Sequence, residues 1–396
     1  MNEQRLSEVC DLITDGTHYS PASSATGDFR YVTSKNVRRG RIDLADITYV
    51  SADVHAAIYA ACPVQKGDVL FVKDGVNAGT AAMNSLDEPF SMLSSVALIR
   101  PSATKLDARY LTHFLNSPRA KERLLRNRSG SAITRLILRE IRDSKIVLPP
   151  LHEQRRIAEI LDKADALRTK RRAALAQLDT LTQSIFLDMF GDPASKSNGG
   201  KWARLGDLAS KFSDGPFGSN LKSSHYTEAG VRVVRLQNIG VGEFVDNDQA
   251  YVSDSHFASL GKHRCQPGDV LVATLGDPNL RACIQPDWLP VALNKADCVQ
   301  IRVDPSIATP EFVSALINQP GTLTLAYSLM LGQTRVRISM GRLRELKVPV
   351  PPLEQQHEFA KIIRSVERVK KQQCEHLAHL VAVFKSLQSR AFAGEL

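Results

Sequence analysis

The sequence predicts an α+β protein: two tandem mixed α/β domains on twisted, mainly antiparallel sheets, separated by two long helices that pair as an antiparallel coiled coil. Three observations carry that prediction. A self-similarity at an offset of 202 residues runs through the 396-residue chain. Each copy opens with short β-rich runs between Gly, Asn and Asp turns, and each closes with a helical segment of about five heptads.

The offset is held at many anchors. Leu148-Pro-Pro-Leu151 returns as Val350-Pro-Pro-Leu353, Asn116-Ser-Pro118 as Asn318-Gln-Pro320, and Tyr49-Val-Ser51 as Tyr251-Val-Ser253. Asn36, Gly130 and Arg135 return as Asn238, Gly332 and Arg337, while Gly67-Asp-Val-Leu70 matches Gly268-Asp-Val-Leu271 after a slip of one residue. Asp15-Gly16 matches Asp214-Gly215 after a slightly larger slip. The boundaries that follow are a first globular domain over residues 1–150, a helix over 151–193, a second globular domain over 194–350 and a C-terminal helix over 351–396.

In chain order, runs rich in β-branched and aromatic residues predict strands at 30–33, 47–50, 68–72, 96–100 and 144–148, with counterparts at 231–236, 269–273, 298–303 and 346–350. Short helices are predicted at 108–117 and 311–318. From residue 153 the rows 157, 164, 171, 178, 185 and 160, 167, 174, 181, 188 hold eight apolar residues in ten, and adding 202 gives rows with seven in ten. A helix of about 38 residues is on the order of 57 Å long, too long for one small domain to cover, so the two helices are expected to pair. Pro149-Pro150 and Pro351-Pro352 are start signals, Gly191-Asp-Pro193 ends the first helix, and residues 194–200 read as a linker.

Composition sets the limits on function. Apolar residues are 43% and charged residues 23% of the chain, the balance of a folded globular protein. A net charge of +9 favours an anionic partner. No apolar run approaches the roughly 18 residues that span a bilayer, and the first residues lack the apolar stretch of a signal peptide. The six cysteines form no CxxC pair, which points to reduced thiols in a cytoplasmic protein rather than a zinc ribbon or disulfide frame.

Most enzyme chemistry lacks its residues. A Walker-type phosphate loop is missing, and both Pro-Pro pairs follow Leu148 or Val350 where a methyltransferase needs Asn or Asp. Asp143/Lys145 and Glu345/Lys347 sit at equivalent places and admit a metal-dependent nuclease reading, but copy one has no matching upstream Pro-Asp, and charge pairs at a strand edge account for them as well. His376 and His379 share a helix face, where packing explains them better than a metal.

Phosphate-binding chemistry is present. Eight Lys/Arg lie between Arg119 and Arg142 against two acids, and copy two has Arg335, Arg337, Arg342, Arg344 and Lys347. Gly and Ser between Arg126, Arg128 and Arg135 make that stretch a loop suited to phosphates. Amide, hydroxyl and guanidinium groups able to read base edges come from Thr33, Ser34, Lys35, Asn36, Arg38, Arg39, Lys73 and Asn77 in copy one. Copy two offers Lys222, Arg235, Gln237, Asn238, Thr274, Asn279 and Arg281. The copies share framework but differ at most of these positions, as two modules reading different sequences should; a shared Asn, however, is more often a turn residue. Aromatics at 6% are too few for single-strand stacking platforms, so duplex DNA is the expected ligand. A nuclease or methyltransferase, or a coiled-coil scaffold for proteins alone, remain the rival readings.

Several of these residues carry a family resemblance. Asp214-Gly-Pro-Phe-Gly-Ser219, Val234-Arg-Leu-Gln-Asn-Ile239, the two Gly-Asp-Val-Leu motifs, the Pro-Pro-Leu-x-x-Gln helix starts and Arg390-Ala-Phe-Ala-Gly-Glu-Leu396 together resemble the specificity subunit of type I restriction-modification systems. Copy one departs from that pattern at Asp15-Gly-Thr-His18. The resemblance implies a non-catalytic subunit with two target-recognition domains, each reading half of a split DNA site, and helices that set the spacing and hold two modification subunits. S-adenosylmethionine, ATP and Mg²⁺ would then belong to the modification and restriction/translocase partners, and this chain would hold no cofactor.

Overall fold

A computed structural model describes residues 3–125, 136–195, 201–330, 332 and 336–396. The chain divides into two units, Met1–Arg172 with Glu375–Leu396, and Ala173–Cys374.

In the first unit a four-stranded antiparallel sheet runs in the order Cys10–Asp15, Val96–Pro101, Val69–Val72, Ala81–Met83. Its two central strands, Val69–Val72 and Val96–Pro101, are largely apolar on both faces because both are covered. Val69 and Phe71 join a core with Tyr110, Leu111 and Leu115 of the helix Ala108–Leu115, while Leu70 and Val72 face Val32, Val37 and Phe90. A smaller sheet pairs Thr48–Val50, Phe29–Val32 and Ser91–Met92, the last two in parallel. Strand Glu3–Arg5 pairs with Lys145–Val147, just ahead of the long helix.

The second unit repeats this plan with Ala209–Asp214, Cys298–Val303, Val270–Ala273 and Arg281–Ile284. Val270 and Val272 meet Phe312 and Leu316 on one face, and Leu271 and Ala273 meet Val234 and Ile239 on the other. Beside it a five-stranded sheet carries one parallel pairing, Val233 with Leu293. Lys201–Arg204 pairs with Lys347–Val350 as its counterpart does in the first unit. Most predicted strands and both short helices occur within a few residues of their expected ends. Missing from the prediction were the strands Cys10–Asp15 and Ala209–Asp214, the hairpin arms Ala81–Met83 and Arg281–Ile284, and the helices Ala52–Ala61 and Pro118–Leu125.

The repeat extends to individual polar atoms. Gly67 and Gly268 take φ of 91° and 85°, where a side chain would be strained. The Asp after each closes its own turn, Asp68 Oδ2 accepting from Gln65 N at 2.7 Å and Asp269 Oδ2 from Gln266 N at 2.8 Å. Each Asp also takes a forked guanidinium, from Arg100 at 2.8 and 2.8 Å and from Arg302 at 2.9 and 3.0 Å. Asn116 brackets the backbone of Ala81, and Asn318 that of Ala282, through both its amide atoms. Gln154, fully buried, accepts from Asp107 N and donates to Lys105 O and Pro149 O; Gln356 does the same with Thr309 N, Ile307 O and Pro351 O. The Pro-Pro-Leu-x-x-Gln motif is thus a lock between helix start and domain.

The long helices are Leu151–Phe190 and Leu353–Ala393. Within the first unit Ile157, Ala158 and Leu161 share a core with Phe384, Ala391 and Phe392, and within the second Phe186 and Phe190 pack on Phe359. Beginning therefore meets end in each, as an antiparallel pair. One row of the expected seam is corrected. Row 157, 164, 171, 178, 185 is buried or half-buried, but Leu167 and Leu181 of the second row are 54% and 37% exposed, and Ile362, Val369 and Val383 also face outward. The inward partner row runs through Gln154, Leu161, Arg168, Leu175, Thr182 and Met189, and through Gln356, Ile363, Lys370, Leu377, Phe384 and Ala391. Gln154, Arg168, Gln356 and Lys370 of that row are held by internal bonds, so hydrophobicity alone selects the wrong stripe.

The cysteines are unpaired, and burial pushes the Cys62, Cys265 and Cys283 thiols up to about 12, which makes them packing residues rather than nucleophiles. Among the described residues no helix is long and apolar enough to cross a membrane.

Candidate nucleic-acid interface

At one end of the first unit's main sheet, three chain segments converge. Gly16 lies so close to Met92 and Leu93 that a Cβ there would stand 2.0 Å from Met92 O, which accounts for the glycine in Asp15-Gly16. Thr17 N then donates to Met92 O. Ser34 N donates to Ser95 Oγ, Asn77 Nδ2 to Ser34 O at 3.4 Å, and Lys73 N to Ser95 O. Thr33, Ser34, Lys73 and Asn77 are therefore neighbours, and Leu136 N joins them through Lys73 O. Arg126, Arg128 and Arg135 lie outside the described residues.

Their side chains divide by role. Lys35 is exposed, and Val76, in the turn beside Asn77, is fully so. Lys73 is 2% exposed and ion-paired with Asp15, whose carboxylate also lies 3.3 Å from His18 Nε2. Asn36 is 4% exposed and holds a turn, accepting from Thr33 N at 3.0 Å and donating to Asp43 O. Arg38 lies 3.8 Å from Asp43. Arg39 points elsewhere, over the Phe384 ring and toward Gln388.

The second unit builds the same platform. A Cβ on Gly215 would stand 2.0 Å from the Lys295 carbonyl carbon, so Asp214-Gly215 is the same close approach. Thr274, 2% exposed, donates through N and Oγ1 to Asp297 O, and Ile338 N returns to Thr274 O. Arg337 lies 3.6 Å from Asp297, and Asn279 Nδ2 donates to Val336 O at 2.7 Å. Leu280 and Asp297 hold φ of 65° and 62°, strain that non-glycine residues carry mainly where surrounding structure imposes it. Asn238, wholly buried, repeats Asn36, accepting from Arg235 N and donating to Val245 O and Asp248 O. Arg235 pairs with Asp248 beside the Tyr226 ring, which Lys295 also faces. Arg281 spends its guanidinium on the carbonyls of Ile239, Leu236, Pro278 and Leu275. Gln237 and Lys222 are exposed, and Arg335 lies outside the described residues.

Two layers result. Asn36, Lys73, Asn238, Thr274 and Arg281 hold the loops in shape, while Lys35, Val76, Gln237, Lys222 and Arg337 face outward. Tyr19 and Phe217, 56% and 47% exposed after the two Asp-Gly turns, join the outer layer. Tyr19, Phe217 and Val76 carry no polar group that marks a base reader in the sequence; a large apolar residue beside a Gly-containing turn is the signal that identifies them. Burial holds the Asp214 carboxyl above its usual range. The rival catalytic pairs are strand-edge charges: Asp143 lies 3.8 Å from Arg5 and Glu345 3.4 Å from Arg204. Among the described residues no three His, Cys, Asp or Glu are grouped to hold a metal.

Comparison with known proteins agrees with this geometry. The profile of the type I restriction modification DNA specificity domain matches residues 1–177 and 297–378. The chain is 24% identical over 321 residues to the type I restriction enzyme MjaVIII specificity subunit of Methanocaldococcus jannaschii, covering 77% of this chain and 73% of that one. It is 22% identical to the EcoKI specificity subunit of Escherichia coli K12, over 92% and 82% of the two chains. Its fold resembles the S subunit of the M. genitalium type I system, with a TM-score of 0.58, 15% identity and 99% and 96% coverage. A chain from a study of type I complex assembly and conformational transition gives 0.60, at 19% identity and 100% and 98% coverage. Two copies of one loop platform and a profile match over most of the length thus have one explanation: the chain belongs to the type I restriction-modification DNA specificity family, the non-catalytic subunits that recognise DNA sequence within restriction-modification complexes.

Proposed function

We propose that the chain reads a split duplex site, with residues 1–150 responsible for one half and 194–350 for the other. The observation that carries this reading is the two-layered platform, in which inner residues shape the loops and outer residues that differ between the copies face solvent. Sequence discrimination requires a rigid frame, because a paired hydrogen bond to a base edge tolerates little displacement. Outward-facing Leu167, Leu181, Ile362, Val369 and Val383 support the helices as seats for two modification subunits, since exposed apolar stripes mark interaction surfaces. Restriction/translocase subunits complete the complex, in the cytoplasm where the DNA is. S-adenosylmethionine, ATP and Mg²⁺ serve chemistry on those partners.

Exchanging residues 1–150 for the first domain of another family member tests the reading. Genome-wide adenine-methylation mapping in cells that also carry the modification subunits should show one half of a split motif changed and the other kept. A change in both halves, or in neither, would refute modular reading.

A further inference from the structure

A cavity of about 540 Å³ lies in the second unit, bounded by the Val241–Gly242 turn, the helix Pro310–Ile317 and both long helices. Asp179, Glu243, Glu311 and Glu367 line it against two cations, Arg364 and Lys370. Both cations are engaged: Arg364 Nε donates to Glu311 Oε1 at 2.7 Å, and Lys370 Nζ lies 2.7 Å from Asp179 and 3.7 Å from Glu243. Two negative charges are left in excess. Acceptors are left over as well. Gln319, 2% exposed, lines the cavity with Oε1 buried and without a hydrogen-bond partner among the described residues, although its Nε2 donates to Ala315 O. Glu311 Oε2 is buried in the same condition. Native proteins rarely leave such atoms unmatched. Burial, reinforced by Glu243 and Asp179, holds the Glu367 carboxyl above its ordinary range despite Lys370.

The first unit shows what this place accepts. Its counterpart cavity, about 450 Å³, is bounded by the Arg39–Gly40 turn, the helix Ala108–Leu115 and the long helices. Gly40 N donates to Ala81 O as Gly242 N does to Ala282 O, so Arg39 and Val241 are equivalent positions, and the 202 offset makes Asp165 equivalent to Glu367. Arg39 puts a guanidinium within electrostatic reach of Asp165, beside Phe384 and Gln388. Val241 supplies none.

We propose that the second-unit cavity binds a small dication carrying guanidinium or primary ammonium groups, of the short polyamine class, in the role that Arg39 fills in the first unit. The two charges balance the surplus at Glu367 and its neighbours, and the N–H donors lie beside Gln319 and Glu311 in the cavity wall. The same groups could be offered by a free polyamine or by a basic side chain of an assembled partner.

Calorimetric titration of the full chain with agmatine and with putrescine tests it. One saturable site is expected for at least one probe, together with a rise in Tm on binding. Val241→Arg, which supplies the guanidinium from the chain itself, should abolish binding, and Glu367→Gln should weaken it at least tenfold; unfolding curves of both variants establish that they are folded. Absence of saturable binding of both probes, or binding undiminished in both variants, would overturn the proposal. Repeating the titration on the complex with its modification subunits separates the sources. Retained binding assigns the site to a free dication, and binding seen on the chain but lost on assembly assigns it to a partner's lysine or arginine.

Discussion

Asp68 closes the turn at Gly67 and holds both arms of the Arg100 guanidinium, with 2% of its side chain exposed. Removing it strands a partly buried cation and a turn N–H together, and breaking one side of a buried pair costs about 3 kcal/mol. Asp68→Ala should therefore lower the urea-unfolding free energy by that amount, and Asp269→Ala should do the same through Arg302. A loss under about 1 kcal/mol would mean that water replaces the carboxylate. The Gly-Asp-Val-Leu motif was legible as a repeated strand start, but its Arg was not, because the two are joined only when a third strand lies alongside. Arg281 shows the opposite limit. Sequence presents it as a base reader, yet the loop around Leu280 needs donors for its carbonyls, and the guanidinium meets that need.

At the scale of elements, the long helices separate legible from illegible most sharply. Their existence, length, phase and pairing follow from heptads and Pro-Pro starts, and all four hold. The inward face does not follow, because two stripes are apolar and only one is covered within the chain. The covered one contains Gln154, held by a loop far away in the chain, and Arg168 and Lys370, held by carboxylates. Leu161→Ala, at a wholly buried position, should cost about 3 kcal/mol. Leu167→Ala, at a residue 54% exposed, should stay within about 0.5 kcal/mol. Thermal unfolding of the two variants distinguishes this seam from the one that hydrophobicity suggests, for which the Leu167 change would be the damaging one. The loops were legible as polar segments, and less so as side chains, since composition does not say which polar group faces inward.

On the scale of the whole molecule, each compact unit is assembled from separated parts of the chain. The first unit takes in Glu375–Leu396, and its core sets Phe392 5.3 Å from Tyr110 and 5.4 Å from Phe114. Deleting residues 375–396 should therefore damage the first unit more than the second, read as faster proteolysis within residues 1–172 than within 201–374. Preferential cleavage of the second unit would contradict it. At roughly 5–20 residues per second, the ribosome needs on the order of 10–45 s after residue 172 to deliver the segment that completes the first core. The domain made first is thus finished last, and throughout that interval the apolar faces of Tyr110 and Phe114 await their cover, a window in which a chaperone or a subunit already in place would serve the nascent chain.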